Sequence, residues 1–295
     1  MTKGVLIIAT GHPNYIRMAF NLAFSIKFKS NIPIAVAHSE GLNEHLNDNE
    51  KMFIDQFITV PKEYYTHEGN IEHPMVKTRM YDLSPFDQTI YLDADTIFFQ
   101  ERPIDDWFKD LEGQEVSFQC EHKWKMGDEW GCLWTSDGSD SNKGLSQIKE
   151  IYSLPDDRTI YEMQSSFMYF EKGDKAKAFY DTAKEIYIAR PFNFFVWANG
   201  IPDELVFNIS TAINEIELKT LPYKPLFFFE YHNNRDRTHI YNNYYALSMA
   251  GNNLSTSVID IYDTLIKFYY SRIRKVRFPY LWKNKKQFLP ERSKA

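Results

Sequence analysis

Asp93-Ala94-Asp95 is the triplet in this chain whose residue types and spacing best suit chemistry. It follows the apolar run Ile90-Tyr91-Leu92, which reads as the end of a buried strand. Two carboxylates delivered by such a strand are costly unless a cation shares them. Their hard oxygens suit Mn2+ or Mg2+, ions that a diphosphate can also ligate. The plain alternative is that both side chains cap a turn or a helix. Position favours a ligand, because open parallel sheets bind ligands beyond the carboxyl ends of their strands.

The elements that must position this pair are legible upstream. Val5 to Ala9 reads as a buried first strand ending at Thr10-Gly11. Asn14 is placed to cap a helix from Tyr15 to Phe28, where Met18, Leu22 and Ile26 recur at helical spacing. Ile32 to Ala37 and Phe53 to Val60 read as further strands, and Met75 to Leu83 as a helix before Thr89 to Leu92. A βαβ beginning of this kind predicts a mostly parallel α/β sheet. Beyond the triplet come a strand at Thr96 to Phe99, a short helix at Pro103 to Phe108, and strands at Val116 to Gln119 and Ser166 to Phe170. Lys123 to Lys143 reads as a long loop. Helices follow at Ala176 to Ile188 and Asp203 to Ile213, then a strand within Lys219 to Phe229.

With these elements in place, residues Lys77 to Thr96 resemble the signature of the GT-A-fold glycosyltransferases. The likeness is to the glycogenin and bacterial lipopolysaccharide galactosyltransferase family (family 8-like). There, a helical basic residue precedes an L-x-x-Y/F-D/S-x-x-x-Y-L-D-A-D run at the same spacing. Pro103-Ile104-Asp105-Asp106-Trp107-Phe108 is similar to the family's I-D-D-L-F segment, so the match covers residues 77 to 108. The resemblance implies a GT-A (Rossmann-like) fold, a mixed, mostly parallel sheet flanked by helices, and sugar transfer from a nucleotide-diphosphate donor. UDP-sugars are the expected donors, with a metal ion and retention of anomeric configuration.

By the same resemblance, Ala9, Thr10, Gly11 and Tyr15 would cradle the nucleoside, and Lys77 would neutralise diphosphate charge. Asp93, Ala94 and Asp95 would form the metal and diphosphate site. Met163 to Phe170 is similar to the family's F-N-A/S-G-V-M-L-F strand, with Gln164 at the Asn that touches sugar hydroxyls and Ser166 in place of Gly. Pro202 to Asn208 is similar to D-Q-D-x-L-N. Asp203 then falls on the Asp that binds sugar hydroxyls, and Glu204 on the Gln beside the reacting carbon. A carboxylate there could stabilise oxocarbenium character or act as a base. Their plain reading is first-turn helix acids. The family's third metal ligand is a His before Gly and Lys-Pro-Trp, a pattern missing here. His239 is preferred because apolar and aromatic residues follow it, His232 is the other candidate, and an alternative alignment puts Ser248 to Gly251 there with no His.

Composition bounds the rest. The 295 residues carry a net charge of −6, and 12 glycines leave room for neither a Walker A nor a GxGxxG loop. Gly11-His12-Pro13-Asn14 also lacks the Gly- and basic-rich loop of a nucleotidyltransferase, the competing enzyme class; an inactive nucleotide-sugar-binding module is the other alternative. Cys120 and Cys132 are the only cysteines, which reads as reduced thiols in a cytoplasmic protein. The N-terminal apolar run is too short for a signal peptide, and nothing is long enough to span a bilayer.

Residues 1–245 are expected to form the catalytic domain and 246–295 a helical, basic extension. From Ser271 to Ala295 nine basic residues meet one acid, Glu291, giving a local charge of +8 and leaving −14 on the remainder. Phe278, Tyr280, Trp282 and Phe288 are interleaved with that charge. An anionic partner is expected: peripheral contact with lipid headgroups, suiting a lipid-linked or other glycan acceptor, or nucleic acid, suiting a modified-DNA acceptor. A solvated tail is the third reading.

Overall fold

The computed structural model describes residues 1–98, 103–128, 141–191, 201–219, 221, 224–228, 244–248 and 267. In chain order the elements begin with β1 (Lys3–Ala9), α1 (Pro13–Lys27), β2 (Ile34–His38), α2 (Asp48–Lys51) and β3 (Gln56–Thr59). A small hairpin, β4 (Thr66–His67) and β5 (Asn70–Ile71), precedes a 3-10 segment at His73–Arg79 and α3 (Met80–Leu83). Next come β6 (Gln88–Asp93), β7 (Thr96–Phe98), α4 (Asp105–Leu111), β8 (Val116–Lys125) and α5 (Ser141–Tyr152). The remainder is β9 (Thr159–Glu171), α6 (Asp174–Ala189), α7 (Asp203–Ile213), β10 (Lys224–Phe228) and β11 (Tyr244–Ser248).

The chain divides into two units, and β6 belongs to both, changing unit between Ile90 and Tyr91. The first comprises residues 1–2, 60–90 and 113–220. Its strand order is β6-β9-β8, with β8 and β9 antiparallel. α7 lies on β9 and against α6. Phe179 of α6 stacks on Phe207 of α7 at 5.6 Å, and Ser210 Oγ donates to Phe179 O at 2.7 Å. Both rings are fully buried, each contributing about 1.5–3 kcal/mol by leaving water.

The second unit comprises residues 3–59, 91–112 and 221–295. Its strand order is β3-β2-β1-β6, and the β1/β2 and β2/β3 pairs are parallel. β1 is buried from Gly4 to Ala9, which is why it reads as a continuous apolar run rather than an alternating one. α1 covers this sheet and packs on β7, burying Phe20 and Phe24 beside Phe53, whose ring meets Phe24 edge-on at 5.0 Å. A three-stranded sheet, β10-β11-β7, has β10 parallel and β7 antiparallel to β11. The architecture is the expected mixed, mostly parallel α/β sheet flanked by helices. No helix among the described residues is long and apolar enough to cross a membrane.

Several local expectations need correction. α1 starts at Pro13, and its cap is His12, whose Nδ1 accepts from the Asn14 amide at 3.1 Å; proline at the first helical position loses no needed N–H. The expected helix at Met75 to Leu83 is 3-10 up to Arg79 and α-helical only from Met80. Thr78 Oγ1 donates to Met75 O at 2.8 Å, a side-chain competitor for a helical carbonyl. β3 begins only at Gln56, because the Phe53 and Ile54 amides are spent on turn bonds to Glu50 and Lys51. The expected loop at Lys123 to Lys143 shrinks from both ends. β8 runs to Lys125, paired with Thr159, and α5 begins at Ser141.

Candidate functional site

In the first unit, a buried polar cluster forms where β9 leaves its register. Phe118 of β8 pairs with Met168, but the next residue, Gln119, pairs with Gln164, so the register of β9 jumps across Ser165 to Phe167. Such a bulge frees backbone groups from the ladder. α7 takes up two of them: the Met163 amide donates to Asn208 Oδ1 at 3.0 Å and the Ser165 amide to Glu204 Oε1 at 3.2 Å. Glu204 and Asn208 are one helical turn apart, so both acceptors lie on one face of α7.

Lys77 reaches the same place from the 3-10 segment. Its ammonium donates to Ser165 Oγ at 3.0 Å and lies 3.0 Å from Asp203 Oδ2. The latter is a charge contact only, for Asp203 Oδ2 makes no hydrogen bond among the described residues. Asp203 is thus neutralised by Lys77, with Oδ2 buried. The two side chains are 18% and 13% exposed, where a charge interaction is screened far less than at the open surface. Gln164 and Gln119 are each 5% exposed, and Gln119 Nε2 donates to Gln164 Oε1 at 2.9 Å.

Behind this cluster stands a further layer. The Ile201 amide donates to the Tyr187 hydroxyl at 3.3 Å. Burial first, then the negative charge of Glu72 and of Asp203, push the Tyr187 phenol far up, so it stays protonated. Glu72, with a side chain 3% exposed, is ion-paired to Arg190. It immediately precedes the 3-10 segment that carries Lys77.

The second unit holds the other expected residues. β1 and β2 end side by side, with Ala9 opposite His38. Thr10 is buried, and the Gly11 amide donates to Ser39 Oγ at 3.3 Å. Gly11 has φ of +89°, a conformation only glycine adopts cheaply, and it turns the chain straight into α1. Tyr15 is half-buried in the first turn of that helix. β6, next to β1 in the sheet, ends at Asp93. Asp93 Oδ1 accepts a short hydrogen bond from the Tyr91 hydroxyl. Ala94 and Asp95 form the turn into β7, both buried, Asp95 at 6% exposure.

The fit to a hard divalent cation rests on these two carboxylates. A largely buried Asp95 beside a tyrosine-anchored Asp93 gives oxygen donors of the right chemistry. Among the described residues no third His, Cys, Asp or Glu joins them, so a cation held here would need further ligands from outside that set. His239 and His232 lie outside the described residues, as does the basic segment 271–295. Lys77, Asp203 and Glu204 are brought together around Ser165, while the Gln164 side chain pairs with Gln119. Ser165, Gln119 and Asn208 were missed as site residues; the signal for Gln119 was an amide inside the apolar strand Val116-Ser117-Phe118-Gln119-Cys120.

No protein-family model matches this chain, and no curated protein does. Solved structures do match in fold. The apo structure of the WbbM bifunctional glycosyltransferase superposes over 97% of this chain, at 13% identity and a TM-score of 0.62. This chain spans 51% of WbbM, about half its length. The galactosyltransferase LgtC, solved with donor and acceptor sugar analogues, matches over 96% of this chain and 99% of its own, at 11% identity and a TM-score of 0.53. The fold is therefore the GT-A fold expected from the sequence.

Proposed function

We propose that this chain is a glycosyltransferase that moves a sugar from a nucleotide-diphosphate donor, a UDP-sugar, to an acceptor hydroxyl. The observation that carries the reading is the convergence of Lys77, Asp203 and Glu204 on Ser165, the residue after Gln164, at the β9 bulge. Those residues come from three segments far apart in sequence. The GT-A fold shared with WbbM and LgtC supports it.

In this reading Asp203 and Gln164 bind hydroxyls of the donor sugar, and Lys77 neutralises charge on the departing diphosphate. Glu204, held by the Ser165 amide, faces the anomeric carbon and stabilises its positive character. The acceptor oxygen bonds to that carbon as the carbon–phosphate-oxygen bond breaks, and the acceptor proton passes to the leaving diphosphate or to Glu204. Attack on the same face that the diphosphate leaves would retain the configuration. Asp93 and Asp95 would hold Mn2+ or Mg2+, which supplies charge to the diphosphate when bound. Thr10, Gly11 and Tyr15 receive the nucleoside at the end of β1.

The acceptor is a glycan, a lipid-linked sugar or a modified base in DNA, approached through the basic segment 271–295. Mass-spectrometric screening of nucleotide-sugars with Mn2+ and a lysate-free acceptor panel tests the reaction. Turnover of a UDP-sugar to UDP is expected. Release of pyrophosphate would instead place the chain among nucleotidyltransferases, and binding without turnover would make it an inactive sugar-nucleotide module.

A further inference from the structure

We infer that Gln119 is a positioning residue that sets the hydrogen-bonding polarity of Gln164, making the donor-sugar subsite one that donates to an acceptor oxygen of the sugar. The inference rests on the donor-site reading above. Neither amide has a backbone reason to be where it is. Both lie inside strands, each 5% exposed, at the first of two points where β8 and β9 jump register. A buried amide in such a place must have its hydrogen bonds accounted for.

The bond between them is directional: Gln119 Nε2 donates to Gln164 Oε1 at 2.9 Å. A carboxamide carries one acceptor oxygen and one donor nitrogen, fixed on opposite sides of a planar group. With its oxygen turned to Gln119, Gln164 offers a ligand its two N–H groups. Gln164 immediately precedes Ser165, which binds Lys77 and Glu204. The subsite thus selects a sugar presenting a hydroxyl, carbonyl or carboxylate oxygen that can accept. Asp203, a carboxylate, has the opposite polarity and can only accept. Sites built on buried polar groups discriminate far better than apolar pockets do.

Two variants separate polarity from packing. Gln119→Glu puts an acceptor opposite Gln164 and turns its amide over, presenting oxygen to the sugar. Gln119→Leu fills similar space and lets the amide choose. Binding of UDP, UDP-glucose, UDP-galactose and UDP-N-acetylglucosamine is measured by calorimetry with Mn2+. Gln119→Glu is expected to weaken the preferred UDP-sugar by about tenfold, about 1.4 kcal/mol, and to leave UDP itself unchanged. Gln119→Leu should weaken it less and flatten the ranking of the three sugars. Unchanged sugar affinities in Gln119→Glu would overturn the inference, as would an equal loss for UDP and UDP-sugars in both variants. Gln119→Glu with wild-type preference while Lys77→Gln loses UDP-sugar binding would sink this inference and leave the donor-site reading standing. Failure of the unaltered chain to bind UDP or any UDP-sugar would sink that reading first, and this inference with it.

Discussion

Lys77 and Asp203 meet at 3.0 Å with most of both side chains out of water, and Ser165 completes the grip on the ammonium. Each is expected to touch the donor, so each neutralises the other until the donor arrives. Binding then exchanges one partner for another instead of desolvating bare charges, and a preorganised pair spends little on reorganisation.

This pairing gives unequal single-variant effects. Lys77→Gln removes charge that matters most as diphosphate departs, so kcat should fall by about a hundredfold. Asp203→Asn removes a ground-state sugar contact, so the donor KM should rise about tenfold with a smaller change in kcat. The double variant should be less damaging than the product of the two, because residues in direct contact do not add. Strict additivity would show that the contact has no role in turnover.

Tyr91 bonds to Asp93 from two residues earlier on β6, which fixes the orientation of that carboxylate. Partners behind a metal ligand are worth about ten- to a hundredfold in metal affinity. Tyr91→Phe should therefore weaken Mn2+ binding by about tenfold in the presence of UDP, read by electron paramagnetic resonance of free Mn2+. Asp95→Asn should abolish it. Wild-type Mn2+ affinity in both variants would remove this pair from the metal site.

The parts of this architecture that repeat a local rule were legible in the sequence. β1 and β6 are buried apolar runs, and α7 spans Asp203–Ile213 as its pattern predicts. What was not legible depends on distant pairing. The β8/β9 register jump beside Gln119 follows from how two strands and α7 share backbone donors, and no local pattern encodes that. Within the 3-10 segment His73–Arg79 the Thr78 hydroxyl bonds back to Met75 O, a competition that periodicity does not reveal. Asn208 looked like the tail of a motif, yet its side chain closes the bulge.

That closure is measurable. Asn208 is 1% exposed, and Asn208→Ala would leave the Met163 amide buried without its acceptor. A loss of about 1–3 kcal/mol is expected on urea unfolding. Asn208→Asp keeps an acceptor oxygen and should recover much of it. Equal stability of the alanine and asparagine forms would mean the amide finds another partner.

His73 supplies a dependence on pH. It opens the 3-10 segment carrying Lys77 and stacks on Tyr65 at 5.4 Å. Its Nδ1 is buried and has no hydrogen-bond partner among the described residues. Burial holds its pKa below the ordinary 6.5. Between the folded value and 6.5 the unfolded chain binds more protons, so stability is whole above 6.5 and is lost as pH falls through that window. Glu50 acts the other way. Its pKa is raised chiefly by burial, so its contribution declines as pH rises above 4.5. His73→Phe keeps the ring stack and removes the titration. Urea midpoints followed from about pH 7.5 to about pH 5 should fall less steeply for His73→Phe than for the unaltered chain. Glu50 is present in both proteins and cancels in the difference. Parallel slopes would show that His73 protonates in the folded chain as readily as in the unfolded one.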